Sequence, residues 1–194
     1  IEANPEKYAH ACEGKKLATL FYEPSTRTRL SHEAAMINLG GSVLGFSSAD
    51  SSSASKGESV ADTIRVISCF ADICAMRHPK EGAAMVASQH ATIPVINAGD
   101  GMDEHPTQAL LDMLTIKEKK GGFKGLKVAI IGDIYHSRVV RSDVYGLTKL
   151  GADVSVGGPT TLMPPGMERL GVKVFNNVED AIKDADVVMG LRIQ

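Results

Sequence analysis

The sequence predicts an α/β protein of two domains, each a parallel sheet flanked by helices. Short apolar runs alternate with longer stretches of helical periodicity along the whole chain. The alternation breaks at Gly121-Gly122 and then restarts with a new apolar run, which sets a domain boundary there: residues 1–121 and 122–194. The 194 residues, 43% hydrophobic and 23% charged, suffice for one large or two small cores.

Taken in order, residues 15–21 (KKLATLF) read as a buried strand, closed by charge on one side and Pro24 on the other. Residues 26–39 follow with apolar positions at Leu30, Ala34, Met36 and Ile37 and a stop at Gly40-Gly41, the pattern of a helix ended by glycine. Strands are then expected at 42–46, 72–76 and 93–97, and helices at 57–69, 81–90 and 106–119. Beyond the glycine pair, 126–131 (LKVAII), 153–156 and 187–191 read as strands and 138–150 as a helix. A Pro/Gly-rich turn fills 157–166. Residues 47–55 (SSADSSSAS) form the single low-complexity segment, a solvent loop by composition, though Lys56-Gly57 beside it keeps a functional reading open. No internal repeat of fixed period is present.

The net charge of −2 excludes a bulk electrostatic attraction to nucleic acid or an anionic membrane. Any anion site is therefore local. Cys12, Cys69 and Cys74 form no C-x-x-C pair and no zinc-type spacing, so reduced thiols in a cytoplasmic setting are expected. The longest apolar candidate for a membrane span, 64–76, is interrupted by Arg65 and Asp72 and is too short.

In a parallel α/β sheet, ligands bind outside the carboxyl ends of the strands, where the next helices begin. After the first strand come Ser25, Thr26, Arg27 and Thr28, hydroxyls and a guanidinium at a helix start, where backbone N–H groups lack partners and the helix dipole favours negative charge. A Ser/Thr-capped helix with exposed arginines accounts for the same residues, and both readings stand on this motif alone. Arg77 follows the third strand. The loop after the fourth, 97–108 (NAGDGMDEHPTQ), brings His105 to the cap and Gln108 to the first turn of a helix with Pro106 at its first position. Three strand exits thus deliver Arg27, Arg77, His105 and Gln108 toward one rim. In the second block, Arg138 stands at a helix start and Arg192 follows the last strand.

Several chemistries are excluded. G-x-G-x-x-G is absent after 126–131 and no acid ends the next strand, which argues against a dinucleotide cofactor; Walker A and G-x-S-x-G motifs are absent as well. Asp100, Asp103 and His105 lack the spacing of a metal-ligand set. No cofactor and no metal are expected.

Six segments in order, FYEPSTRTR, SVLGFSSADSSSASKGES, MRHPKEGAA, NAGDGMDEHPTQALLD, GDIYHSRVVRS and LRIQ, resemble the catalytic chains of the transcarbamoylase family across the whole sequence. STRTR and HPTQ mark the family at large. KGES after the serine loop, GDIYHSR and R-x-Q resemble its aspartate branch and not its ornithine branch. The resemblance implies a transcarbamoylase fold with a Rossmann-like second domain, and carbamoyl transfer from carbamoyl phosphate to L-aspartate, an early step of pyrimidine biosynthesis. The alternatives are transfer to another amine such as ornithine, or a non-catalytic carbamoyl-phosphate-binding or regulatory chain.

By the same resemblance, Ser25, Thr26, Arg27 and Thr28 hold the phosphate, and Arg77, His105 and Gln108 complete carbamoyl phosphate binding. Thr28, Arg77 and His105 lie near the carbonyl oxygen. Arg138, Arg192 and Gln194 serve aspartate, while Ser52 and Lys56 belong to a loop that enters a neighbouring subunit's site. A homotrimer with shared sites is implied, with regulatory or fused pathway chains as further partners. Two departures follow: Ser31-His32-Glu33 stands where Ser-Phe-Glu is usual, and family members continue past Gln194, so the second domain is expected to be incomplete in this chain.

Overall fold

Residues Lys16–Phe21 form β1, and five consecutive buried side chains mark it as a central strand covered on both faces. In the computed structural model, which describes residues 1, 4–51 and 53–193, β1 pairs in parallel with β2 (Ser42–Phe46) and β3 (Ile73–His78). A fourth strand, β4 (Val95–Asp100), pairs with β3, so the order is β2-β1-β3-β4. Helices α1 (Thr26–Asn38), α2 (Val60–Ile67) and α3 (Ala83–His90) supply the crossovers.

The period of two along β1 sorts its side chains. Ala18 and Leu20 pack with Ile64 of α2, Cys74 and Met76 of β3 and Ala87 of α3, whereas Leu17 packs with Ala75 and with Met36 of α1. Strand β2 approaches β1 closely at Gly45: its φ is +144°, and a Cβ there would lie 2.1 Å from the Thr19 carbonyl oxygen. Only glycine fits.

The chain divides into two compact units, Ile1–Gly101 and Met102–Gln194. The second unit holds α4 (Pro106–Lys120), β5 (Lys127–Ile131), α5 (Arg138–Lys149), β6 (Asp153–Gly157), β7 (Lys173–Phe175), α6 (Val178–Ile182) and β8 (Val187–Gly190). Its strands are all parallel, in the order β7-β6-β5-β8. Helix α4 packs against α5 and lends Ile116 to a core made of Val128 and Ile130 of β5, Val140, Val144 and Leu147 of α5, and Val154 and Val156 of β6. Gly121 then ends α4 in the left-handed conformation, at φ +81°.

Two parallel sheets flanked by helices are as the alternation predicts. Three local differences stand out. Strand β3 runs through His78, so Arg77 lies inside the strand and not beyond it. The serine-rich segment winds into 3-10 turns at Ala49–Ser51 and Ser53–Lys56. Strand β7 and helix α6 have no counterpart in the sequence pattern. Among the described residues, no helix is long and apolar enough to cross a membrane.

Candidate active site

In each unit the strand order reverses once. In the first, the chain steps from β1 outward to β2 and then returns to β3 on the other side of β1. In the second it steps from β5 through β6 to β7 and returns to β8 beside β5. The crevice at such a switch point, at the carboxyl ends of the two diverging strands, is where open α/β sheets bind ligands. The switch points fall at β1/β3 and β5/β8, and every arginine singled out from the sequence follows or ends one of these four strands.

At β1/β3, Phe21 pairs with Arg77 and the backbone N–H of Tyr22 donates to the Arg77 carbonyl. The Arg77 side chain is only 12% exposed and is clasped from two sides. Its Nε and Nη2 donate to Glu23 Oε1 at 3.2 and 2.6 Å, and its Nη1 donates to Ser25 Oγ at 3.0 Å. Planar guanidinium geometry makes this fixed aim possible. Ser25 occupies the N-cap position of α1, yet its side chain makes no capping bond. The capped-helix reading is therefore not realised: the hydroxyl serves Arg77, and the first N–H groups of α1 lack a side-chain cap.

Arg27 and Thr26 are exposed beside it, and Thr28 is half-buried. Arg29 is different, since its Nε donates to Glu33 Oε1 at 2.7 Å, and the same oxygen accepts from Thr19 Oγ1 at 2.9 Å. That contact ties α1 to β1. At the His32 departure, the ring Nδ1 lies 2.7 Å from the Thr28 carbonyl of the same helix. Lys56 is exposed at the end of its 3-10 turn. Ser52, assigned beside it, lies outside the described residues, as does Gln194.

In the second unit, His105 is buried at the N-cap of α4 and again makes no side-chain cap. Its backbone N–H donates to Ser142 Oγ of α5 at 2.9 Å, and its Nδ1 lies 3.3 Å from Thr107 Oγ1. Arg141 Nη1 donates to Asp103 Oδ1 at 3.0 Å and Ser142 Oγ to Glu104 Oε2 at 3.4 Å, so the residues leading into α4 are pinned to α5. Gln108, one turn in, donates from Nε2 to Asp112 Oδ1 at 3.0 Å.

The β5/β8 exit is tight. The Leu191 N–H donates to the Ile131 carbonyl, and a Cβ on Gly132 would lie 3.0 Å from the Leu191 carbonyl oxygen. Arg138 opens α5 from an N-cap, Ser137, that makes no side-chain capping bond, and Arg192 is exposed just past β8. The loop from β5 to α5 holds a pair that the sequence pattern does not reveal: His136 Nδ1 lies 3.0 Å from both oxygens of the fully buried Asp133. By contrast, α2 and α6 are capped conventionally, by Ser59 and Asn177.

Glu23, Ser142 and Asp112 are the other supporting residues missed. Glu23 alone left a signal, an acid directly after a buried strand and next to a basic motif. Among the described residues no cluster of three or more His, Cys, Asp or Glu is placed to hold a metal ion.

Residues 1–118 match the family model of the aspartate/ornithine carbamoyltransferase carbamoyl-P binding domain, and residues 124–194 that of the Asp/Orn binding domain. The chain belongs to the aspartate/ornithine carbamoyltransferase family. Within the carbamoyltransferases it is 59% identical over 192 residues to the aspartate carbamoyltransferase catalytic subunit of Caldanaerobacter subterraneus subsp. tengcongensis, covering 98% of this chain and 63% of that one. It is likewise 59% identical to the subunit of Ruminiclostridium cellulolyticum, covering 100% of this chain and 62% of that one. The chain thus spans less than two thirds of the length of these carbamoyltransferase relatives. Among solved structures, it superposes on the Trypanosoma cruzi aspartate transcarbamoylase in complex with aspartate and phosphate with a TM-score of 0.90 and 36% identity, covering 100% of this chain and 67% of that one. For the M. jannaschii catalytic subunit the TM-score is 0.85 and the identity 46%, covering 100% of this chain and 66% of that one.

Proposed function

We propose that this chain carries the carbamoyl-transfer machinery of an aspartate carbamoyltransferase: the α-amine of L-aspartate attacks the carbamoyl carbon of carbamoyl phosphate, and phosphate leaves. The observation that carries the reading is the clasped Arg77 beside the uncapped start of α1, a preset cation and open N–H donors at the β1/β3 switch point. Solved relatives from T. cruzi that hold carbamoyl phosphate with aspartate, and carbamoyl aspartate with phosphate, support it.

In this reading residues 1–121 bind carbamoyl phosphate and residues 122–194 begin the aspartate-binding domain. Ser25, Thr26, Arg27 and Thr28 hold the phosphate; Thr28, Arg77 and His105 stabilise the oxyanion; and Gln108 binds the carbamoyl group. Arg138, Arg192 and Gln194 receive the two carboxylates and the amine of aspartate. Both substrates are anionic, so arginines that remove their repulsion and fix their approach supply much of the acceleration. The departing phosphate accepts the amine proton. Ser52 and Lys56 act in a neighbouring protomer's site within a homotrimer located in the cytoplasm, which feeds pyrimidine synthesis.

Production of carbamoyl aspartate by the intact protein, with aspartate and ornithine compared as acceptors, tests the reaction. Arg77→Ala should lower turnover at least about 100-fold, the weight of a lost oxyanion donor, and near-normal turnover would remove Arg77 from the carbonyl. Mixing Lys56→Ala chains with Arg27→Ala chains should restore some activity to hybrid trimers. If exchange occurs without recovery, the shared site is wrong.

A further inference from the structure

We propose that Asp112 and Asp143 form a two-carboxyl, one-proton device between α4 and α5 that fixes the side-chain amide of Gln108 for ligand binding. The proposal deepens the role given to Gln108 above and rests on it.

Gln108, Asp112 and Ile116 follow one another at four-residue spacing along α4. Ile116 lies in the core shared with α5, so this stripe faces α5. The approach of the two helices is close here: a Cβ on Gly146 of α5 would come within 2.5 Å of the Met113 methyl of α4. Met113 adjoins Asp112 in sequence, and Gly146 lies one turn beyond Asp143.

Asp112 Oδ1 accepts the Gln108 Nε2 bond at 3.0 Å. An ionised carboxylate only accepts, so the amide must turn its NH2 toward Asp112 and leave Oε1 as the end available to a ligand. An acceptor at that end suits a ligand that presents an NH2 group, as a carbamoyl group does. Asp112 is then a positioning residue: it acts through Gln108.

Asp143 has no such partner. Its side chain is fully buried on α5, the helix that lends Val140, Val144 and Leu147 to the core, and among the described residues neither carboxyl oxygen has a hydrogen-bond partner. A charge in that place is costly, so the group keeps its proton. Burial pushes Asp143 up to about 8, and the negative charge of Asp112 adds to the effect. Burial also raises Asp112, while the Gln108 amide draws it back down. Among the described residues, Asp112 is the one titratable group acting on Asp143. Strand β6, also packed on α5, turns Val154 and Val156 inward, and its Asp153 is exposed and paired with Lys173.

Two like charges across one helix interface, Asp143 fully buried and Asp112 half-buried, do not both ionise readily, so the pair holds a single proton through neutral pH. Asp143 keeps it, and Asp112 stays charged and orients Gln108. When the proton leaves, two carboxylates oppose each other across the helix interface, and Asp112 moves away from Gln108.

Two readouts on the intact protein test this. Without ligand, the 15N-labelled side-chain amide resonance of Gln108 should titrate with a midpoint near pH 8 in the native protein and stay fixed in Asp143→Asn, which supplies a permanent N–H donor. Carbamoyl phosphate affinity should fall about tenfold over the same range in the native protein and lose that alkaline limb in Asp143→Asn. Asp112→Asn should weaken binding about tenfold, and combining it with Gln108→Ala should cost no more than Gln108→Ala alone. A Gln108 resonance that ignores pH, an alkaline limb that survives Asp143→Asn, or additive losses from Asp112 and Gln108 would each overturn the proposal. A resonance that titrates as described in a protein that binds no carbamoyl phosphate at any pH would instead overturn the functional reading and leave the carboxyl pair standing.

Discussion

Replacing Asp143 with asparagine should stabilise the protein, and the gain should grow with pH. In the folded protein this carboxyl is held at about 8, against 3.8 for the free side chain. A raised acid means that the unfolded chain sheds the proton first. The fold therefore loses nothing below about pH 4, weakens as pH rises through the interval, and levels off above about pH 8. At 1.36 kcal/mol per unit, the ceiling is roughly 4 kcal/mol at pH 7 and roughly 6 kcal/mol above pH 8. Relaxation and water entry around a buried acid remove a large part of such a penalty, so about 2 kcal/mol at pH 7 is the working figure. For a protein of this size that corresponds to a rise of about 4–8 °C in Tm. Asparagine keeps the shape and has no charge to lose, so it recovers the difference. Urea unfolding at pH 5, 7 and 9 measures it, followed by far-UV circular dichroism because the chain contains no tryptophan. A gain of the same size at all three pH values, or a loss at pH 9, would refute the reasoning.

Other expectations follow from single contacts. Glu23→Gln keeps the outline of the Arg77 clasp but removes its charge; the loss of about 1.5 kcal/mol of charge-assisted bonding should lower kcat about tenfold, with a smaller change in KM for carbamoyl phosphate. Gly45→Ala forces a Cβ against the Thr19 carbonyl at positive φ and should destabilise the first unit by about 2–4 kcal/mol, read as a lower urea midpoint. Cys74 is buried and its thiol is pushed up to about 12, whereas Cys69 is exposed. A thiol reagent should therefore label Cys69 in the native protein and reach Cys74 only after denaturation.

Much of this was legible in the sequence because parallel strands covered on both faces read as plain apolar runs. KLATLF and LKVAII could be little else. The misses have local causes. Strand β7 has three residues and α6 five, too few for a period to show, and β7 lies at the edge of the second sheet, where burial is partial. Arg77 was expected beyond β3, because a charged residue after ICAM looks like the end of a buried run. It stays in the strand because Glu23 and Ser25, 54 and 52 residues away, satisfy its guanidinium there. No local pattern contains that pairing. The acid pair at Asp112 and Asp143 was invisible for the same reason: each looks like a solvated helix charge until α4 and α5 are packed together. Ser25 shows the reverse case, a good cap by sequence whose hydroxyl the fold directs elsewhere.

The four helices that open at the implicated strand exits, α1, α3, α4 and α5, all lack a side-chain cap, while α2 and α6 have one. A cap supplied by the chain would make those first turns as firm as the rest and leave nothing for a visitor to complete. Without it, the first turn of α1 is the part of the helix most ready to fray, and a bound oxyanion would supply the cap that Ser25 gives up to Arg77. Amide exchange should then slow at Thr26–Thr28 when inorganic phosphate is added and stay unchanged at the start of α2. The protein would have its best-formed helix starts only while it is at work.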